Sequence, residues 1–347
     1  MLNAYGRPIL IAWLAIAAIF FTILLFGNLA YPLLWADESV TAVGAQRVLK
    51  FGYPKSHDGR NVLYDLRHSD PDLGIDAKTD AYIGGAGWAQ YYYLAPFAWL
   101  AGKLQDLYGK TFMLRLPFAL IGLAGVGLFL WFSLDFVPGI GRRLLFSALF
   151  ISFECASIPL ILHLREVRYY SLQLALTASL LILISRYHLQ RKMRFSRYCA
   201  LATAGLVALF FTFAPGFFIL GISLTAFLIL DMVLFTESDR KASLVQSFKT
   251  IMPAALALVI MFPCMQFFKT FPISAALSEF YNYSFGVYLE NLTTIGKYFY
   301  TYEIFGFVIV IHCAWLAAMF GAYRKRSAII VAWRAILLIS VFIIIYF

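Results

Sequence analysis

From Ile9 to Phe26 the chain runs for eighteen residues without a charged side chain, and no aqueous fold can hide such a run from water. Comparable stretches recur down the sequence, at residues 8–27, 112–134, 144–163, 169–186, 198–213, 216–235, 251–268, 304–322 and 328–347. At about 1.5 Å per residue, these approach the length needed to cross a hydrocarbon core roughly 30 Å thick, the sixteen residues of 198–213 being the shortest. With 62% hydrophobic and 13% charged residues and a mean hydropathy of +0.79, a soluble core, a disordered tail and a secreted disulfide scaffold are excluded. The expected fold is an all-α polytopic membrane protein with about nine transmembrane helices. It forms one membrane module over residues 1–347, with no solenoid repeat or separate soluble domain.

The balance of 28 basic and 18 acidic residues gives +10, but topology, and no nucleic acid, accounts for it. With the amino terminus inside, the inner connections collect Arg7, Arg142, Arg143, Arg186, Arg191, Lys192, Arg194, Arg197, Arg240, Lys241, Lys249, Arg324, Lys325 and Arg326. That is the side on which Lys and Arg accumulate. Two long outer loops follow, residues 28–111 and 269–303. The segment Trp88 to Gly102 sets the parity: about fifteen residues long and crowded with Tyr91, Tyr92, Tyr93 and Trp99, it reads as an interfacial or re-entrant helix. The first span has no Ala-x-Ala exit and reads as a retained helix. Phe213-Ala214-Pro215-Gly216 is a tight turn between two spans. The four cysteines all lie in apolar stretches without metal-ligand spacing, so neither disulfides nor zinc is indicated. The chain stops at Tyr346-Phe347 inside an apolar run, as a compact protein ending at the membrane or a truncated sequence would.

Two constellations carry chemistry. Trp35-Ala36-Asp37-Glu38-Ser39 puts two adjacent acids where the first helix leaves the bilayer, a position that suits a carboxylate to take a proton; the plainer reading is an acidic pair at a helix amino terminus. Leu164-Arg165-Glu166-Val167-Arg168-Tyr169-Tyr170 lies at the outer hinge between two spans. Its two arginines, three apart, match phosphate oxygens, although surface pairing and lipid contact would also use them. Asp70, Asp72, Asp76 and Asp80 lack the ordered spacing of a calcium loop. Glu154 and Arg334 lie within apolar spans, where ionisable groups face a protein interior and pair.

Taken in order, Asp37-Glu38 after the first span, Tyr91-Tyr92-Tyr93 opening an interfacial helix, Arg115-Leu116-Pro117, and Arg165 to Tyr170 form a pattern. It resembles the GT-C superfamily of membrane glycosyltransferases that use polyprenyl-phosphate sugars, in the branch of the protein O-mannosyltransferases and the lipid A aminoarabinose transferases. The likeness covers residues 8–235 by motif and the remainder by topology. It implies a GT-C-like helical core and transfer of a sugar from a polyprenyl-phosphate donor to a hydroxyl on a lipid, glycan or protein. The implied location is the outer face of a membrane, and the compact chain without a lumenal domain points to a bacterial inner membrane with a periplasmic site rather than to an endoplasmic reticulum. By the same resemblance Asp37 is the catalytic base, with Glu38 its neighbour in the acidic pair. Arg165 and Arg168 grip the donor phosphate, and Glu166, Tyr169 and Tyr92 line the substrate cavity. Where relatives carry His-Pro-Pro or Lys-Pro this chain has Gly87-Trp88-Ala89-Gln90, and Lys55 or Arg60 is the candidate substitute for that basic contact.

The chemistry suits those residue types. A lipid phosphate leaves readily once arginines neutralise it, an acceptor hydroxyl needs a base, and base and leaving group on opposite faces of the sugar give inversion. No cofactor is required, and no metal site is indicated; the acidic first outer loop is the one place for a divalent cation. Two other readings stay open on the residues alone, a transporter or lipid flippase and a noncatalytic GT-C-like partner.

Overall fold

The computed structural model describes residues 6–64, 74–84, 87–137, 139–235, 240–270 and 284–302, together with Arg334, Leu337, Leu338 and Val341. These residues fold as helices α1 (Gly6–Phe26), α2 (Ala36–Phe51), α3 (Ala89–Ala101), α4 (Leu107–Leu134), α5 (Ile140–Ala156), α6 (Ile158–Arg165), α7 (Tyr170–Ile184), α8 (Phe195–Thr212), α9 (Ala214–Phe235), α10 (Arg240–Phe267) and α11 (Phe285–Tyr302). A two-stranded antiparallel ribbon, Ile75–Asp76 with Ala81–Tyr82, lies between α2 and α3. The protein is a mostly helical integral membrane protein. Among the described residues six helices are long and apolar enough to cross a bilayer, and the bent pair α5–α6 counts as a seventh if it is taken as one broken span. The last two expected spans, 304–322 and 328–347, lie outside the described residues apart from the four named above.

Large apolar side chains such as Ile9, Ile16 and Val259 point outward, as a lipid-facing surface requires. Inside, one apolar cluster joins α1, α4, α5 and α6 around Phe21, Leu25, Ala119 and Leu164. A second joins α7, α8, α9 and α10 around Leu181, Leu209, Phe227 and Met265.

One expected span is not straight. Residues 144–163, read as a single helix, break at Ser157 into α5 and α6, which meet at 79°. Ser157 is extended and caps α6 by accepting the Leu160 N–H, and Pro159 sits in the first turn of α6. There its missing N–H costs nothing, whereas inside a continuous helix it would break the ladder. The turn at Phe213 forms as expected. Phe213 alone joins α8 to α9, and Leu206 and Leu220, seven residues to either side, line the same small cavity.

The segment read as interfacial is α3. Its thirteen residues span about 20 Å, too short to cross the membrane unaided. It packs on α2 through Leu94, Ala98 and Ala101 against Ala42 and Ala45. Gly87, just before it, lies so close to α8 that a Cβ there would come within 2.0 Å of the Phe211 carbonyl oxygen. Trp88 then sets its indole edge-on to Phe267 and Phe268 at the end of α10. The loop is thus fastened to two spans by a glycine approach and an aromatic contact. Gly87→Ala is expected to cost about 1–3 kcal/mol of stability through overpacking against backbone, read as a lower unfolding temperature in detergent. Loss of less than 0.5 kcal/mol, on the order of an ordinary surface change, would rule out that close approach.

A buried polar cluster links the other end of α7 to α9 and α10. There α7 continues as one π turn, Ser185–Leu189, which turns His188 inward. His188 contacts Thr250 Oγ1 at 2.8 Å and Asp231 Oδ2 at 3.1 Å. Arg334 forks onto both oxygens of Asp231, so the ionisable group noted within the last apolar run has its partner 103 residues earlier.

Candidate active site

Glu38 organises the end of the bundle where α1 leaves and α4 and α7 begin. It is the third residue of α2 and is fully buried. Its carboxylate takes Arg115 of α4 as a fork, Nε to Oε1 at 2.8 Å and Nη2 to Oε2 at 2.5 Å. It also accepts the Val167 N–H at 3.0 Å and reaches back to the Trp35 N–H at 3.3 Å, the latter half of a capping box. Arg115 spends its remaining nitrogen on the carbonyls of Leu29 and Pro32, at 3.0 and 2.6 Å. One buried ion pair therefore fixes the α1–α2 connection, the start of α2, the third turn of α4 and the α6–α7 hinge to one another.

This arrangement dictates what the neighbours do. Consecutive residues on a helix point about 100° apart, so burying Glu38 turns Asp37 outward, and holding the Val167 N–H sets Arg168 beside it. Asp37 and Arg168 pair directly, with the Asp37 side chain 48% exposed and the Arg168 side chain 15% exposed. The Arg168 guanidinium is bordered by aromatic rings, 5.3 Å from Tyr169, 5.8 Å from Tyr170 and 6.0 Å from Trp35. Tyr169 in turn stacks on Phe213 at the α8–α9 turn, 4.3 Å between centroids. The result is a carboxylate at the protein surface held against an arginine that is walled by aromatics. Such a walled guanidinium is poorly hydrated and suited to a phosphate.

The other sequence candidates fall into two groups. Arg165 is near the cluster but engaged elsewhere: its guanidinium donates to the carbonyls of Gly27, Asn28 and Tyr31, at 2.9, 3.3 and 3.4 Å. It shares with Arg115 the task of holding the α1–α2 connection. Glu166 faces His163, with Oε2 3.2 Å from Nδ1, on the same hinge. Lys55, Arg60 and Tyr92 are not brought to Asp37. Tyr92 donates its hydroxyl to the Gly52 carbonyl at 2.8 Å, and Lys55 lies 5.2 Å over the Phe51 ring and 3.9 Å from Asp80. Both therefore sit at the far end of α2, about 20 Å along the helix from Asp37. Gly52 ends that helix with φ +82° and returns its N–H to Val48, a left-handed cap that favours glycine.

Arg60 belongs to the same far end. Its N–H and that of Asn61 bind Asp58, whose carboxylate meets Arg47 at 2.9 Å. The Asn61 and Arg60 N–H groups hold the Asp58 carboxyl below its ordinary value, with Arg47 contributing less. The partner of Glu38 is what sequence reading missed. Arg115 appeared only within a motif, and its place inside an apolar run was the available signal, since an arginine there needs a buried counter-charge.

Among the described residues no three His, Cys, Asp or Glu side chains converge as a metal would require; Asp65, Asp70 and Asp72 lie outside them. Comparison with protein-family models, with curated proteins and with solved structures finds no match to this chain.

Proposed function

We propose that the protein is a membrane glycosyltransferase. It moves a sugar from a polyprenyl-phosphate donor to a hydroxyl of a lipid, glycan or protein at the membrane face where α1 emerges, the periplasmic face of a bacterial inner membrane. The observation that carries this reading is the pairing of an exposed carboxylate, Asp37, with the aromatic-walled Arg168, held by the buried Glu38–Arg115 pair. The resemblance to the GT-C superfamily supplies the substrate class.

In this reading the donor phosphate binds Arg168 and displaces Asp37 from it. The freed carboxylate accepts the proton of the acceptor hydroxyl as its oxygen attacks the anomeric carbon. The C–O bond to phosphate breaks with its electron pair on the phosphate, whose charge Arg168 balances. Attack opposite the leaving group inverts the anomeric centre. Glu38 has no free oxygen for chemistry, and its role is positioning; Arg165 positions the hinge in the same way.

A second reading, transport or lipid flipping, is favoured by one observation, the buried Asp231–His188–Arg334 cluster between the ends of α7 and α9, since ionisable groups buried between spans often mark pathways. The readings separate in proteoliposomes supplied with a panel of radiolabelled polyprenyl-phosphate sugars and a membrane acceptor. Transfer releases polyprenyl phosphate and labels the acceptor. Movement of intact donor across the bilayer without release would establish transport, and binding without either would leave a noncatalytic partner.

A further inference from the structure

A basic concavity lies at the other end of α7 from Arg168. The twenty residues from Tyr170 to Leu189 span about 30 Å, one hydrocarbon thickness, so this concavity and the Asp37–Arg168 pair sit at opposite membrane surfaces. It encloses about 700 Å³, within the roughly 300–1,000 Å³ of small-molecule sites. Arg186, Lys192, Arg194 and Arg197 all line it, with Asp135 the only acid among the described lining residues.

Local structure explains the convergence. After the π turn, Arg191 adopts a left-handed conformation with φ +55°, and the Lys192 N–H returns to the Arg186 carbonyl at 2.8 Å. That reversal folds the α7–α8 connection back, bringing Lys192 and Arg194 over Arg186. The connection then enters α8, whose amino terminus has no capping side chain and so turns its first N–H groups outward without a side-chain acceptor. Asp135 receives the Gln190 amide at 3.3 Å. Among the described residues none of the four cations pairs with a carboxylate. Ordinary positive-inside charge spreads over a surface; here four cations and an uncapped helix end share one cavity. Arg186 also lies 4.6 Å over the Trp131 ring, and tryptophans with arginines mark headgroup depth.

We infer that this cavity binds a phosphate-bearing anion, at the depth of a lipid headgroup. The inference is independent of the transferase reading. The test uses the full-length protein purified in neutral detergent, titrated with phosphatidylglycerol, with phosphatidylcholine and with inorganic phosphate, and followed by native mass spectrometry and thermal shift. Arg194→Gln/Arg197→Gln is compared with Arg142→Gln/Lys241→Gln, which removes the same charge from exposed positions at the same end of the bundle. Each lost cation is expected to weaken binding about fivefold, so the pocket pair weakens it roughly 25-fold while the control pair leaves it within twofold. Preference for phosphatidylglycerol over phosphatidylcholine identifies a lipid source. Saturation by inorganic phosphate without lipid preference identifies a soluble one, and both uphold the site. Equal weakening in the two double variants, or no response to any of the anions, overturns it. Unchanged unfolding temperatures of the ligand-free variants keep the comparison free of folding effects.

Discussion

Glu38→Gln is expected to lower stability by about 3–5 kcal/mol, the range for orphaning one member of a buried ion pair. Glutamine keeps the shape of the side chain, so packing is not the cause. One amide oxygen can still accept from Arg115 or from the Val167 N–H, but the amide nitrogen is a donor and would face a second donor, Nη2, which now lies 2.5 Å from Oε2. Arg115, buried with 5% exposure, is then left charged without a counter-charge, its partners the Leu29 and Pro32 carbonyls and at most one amide oxygen. Because the same carboxylate holds the hinge through Val167, the variant should also lose turnover at temperatures where it remains folded, as Arg168 drifts from Asp37. Denaturant or thermal unfolding in detergent checks the first effect. Glu38→Met/Arg115→Met is expected to cost less than the sum of its single changes, by about 0.5–3 kcal/mol, since neither charge is orphaned. A Glu38→Gln protein within 1 kcal/mol of the parent would show that the pair does not organise this end of the bundle.

The reasons Glu38 was legible as an acid and illegible as an anchor are physical. Adjacent acids in a sequence invite reading as a pair, but helical geometry divides them by about 100°, giving Asp37 to the surface and Glu38 to the interior. What decides their separate fates is Arg115, 77 residues away, a distance that only the packing of α2 on α3 and α4 closes. The spans were readable because a bilayer imposes length and apolarity locally, as α1, α4, α7, α8, α9 and α10 illustrate. The break in α5–α6 had its signal in Ser157-Ile158-Pro159, a cap followed by proline in the first turn, within a run whose hydropathy alone reads as continuous. Lys55 and Arg60 were plausible by charge, and only the length of α2 separates them from Asp37. Arg334 needs a partner by the same reasoning as Arg115, and Asp231, itself inside an apolar helix, is the matching signal in the sequence. Local physics is written in sequence, whereas the pairing of distant charges is settled by how helices pack.

Asp37→Asn should bind a polyprenyl-phosphate sugar and fail to transfer it, with kcat lowered roughly 10²- to 10⁴-fold, the usual contribution of a general base. The substitution keeps size and removes the proton acceptor. It also frees Arg168 from its surface partner, so donor affinity should hold or rise. Arg168→Ala acts on the other half of the step. Removing a charged donor to phosphate is expected to weaken donor binding roughly 10- to 100-fold, as losing about 1.5–3 kcal/mol of charge-assisted hydrogen bonding would. It should lower kcat as well, because charge on the departing phosphate grows in the transition state. Binding measured with labelled donor, beside single-turnover transfer, separates the two effects. Arg168→Lys is expected to restore affinity better than rate, since an ammonium supplies charge without the planar fork. The contrast between an Asp37 variant that binds and does not react and an Arg168 variant that binds poorly is what a base and a phosphate grip at one site require. Normal turnover in Asp37→Asn would move the proton acceptor elsewhere, and the surface pair would then be a hinge contact alone.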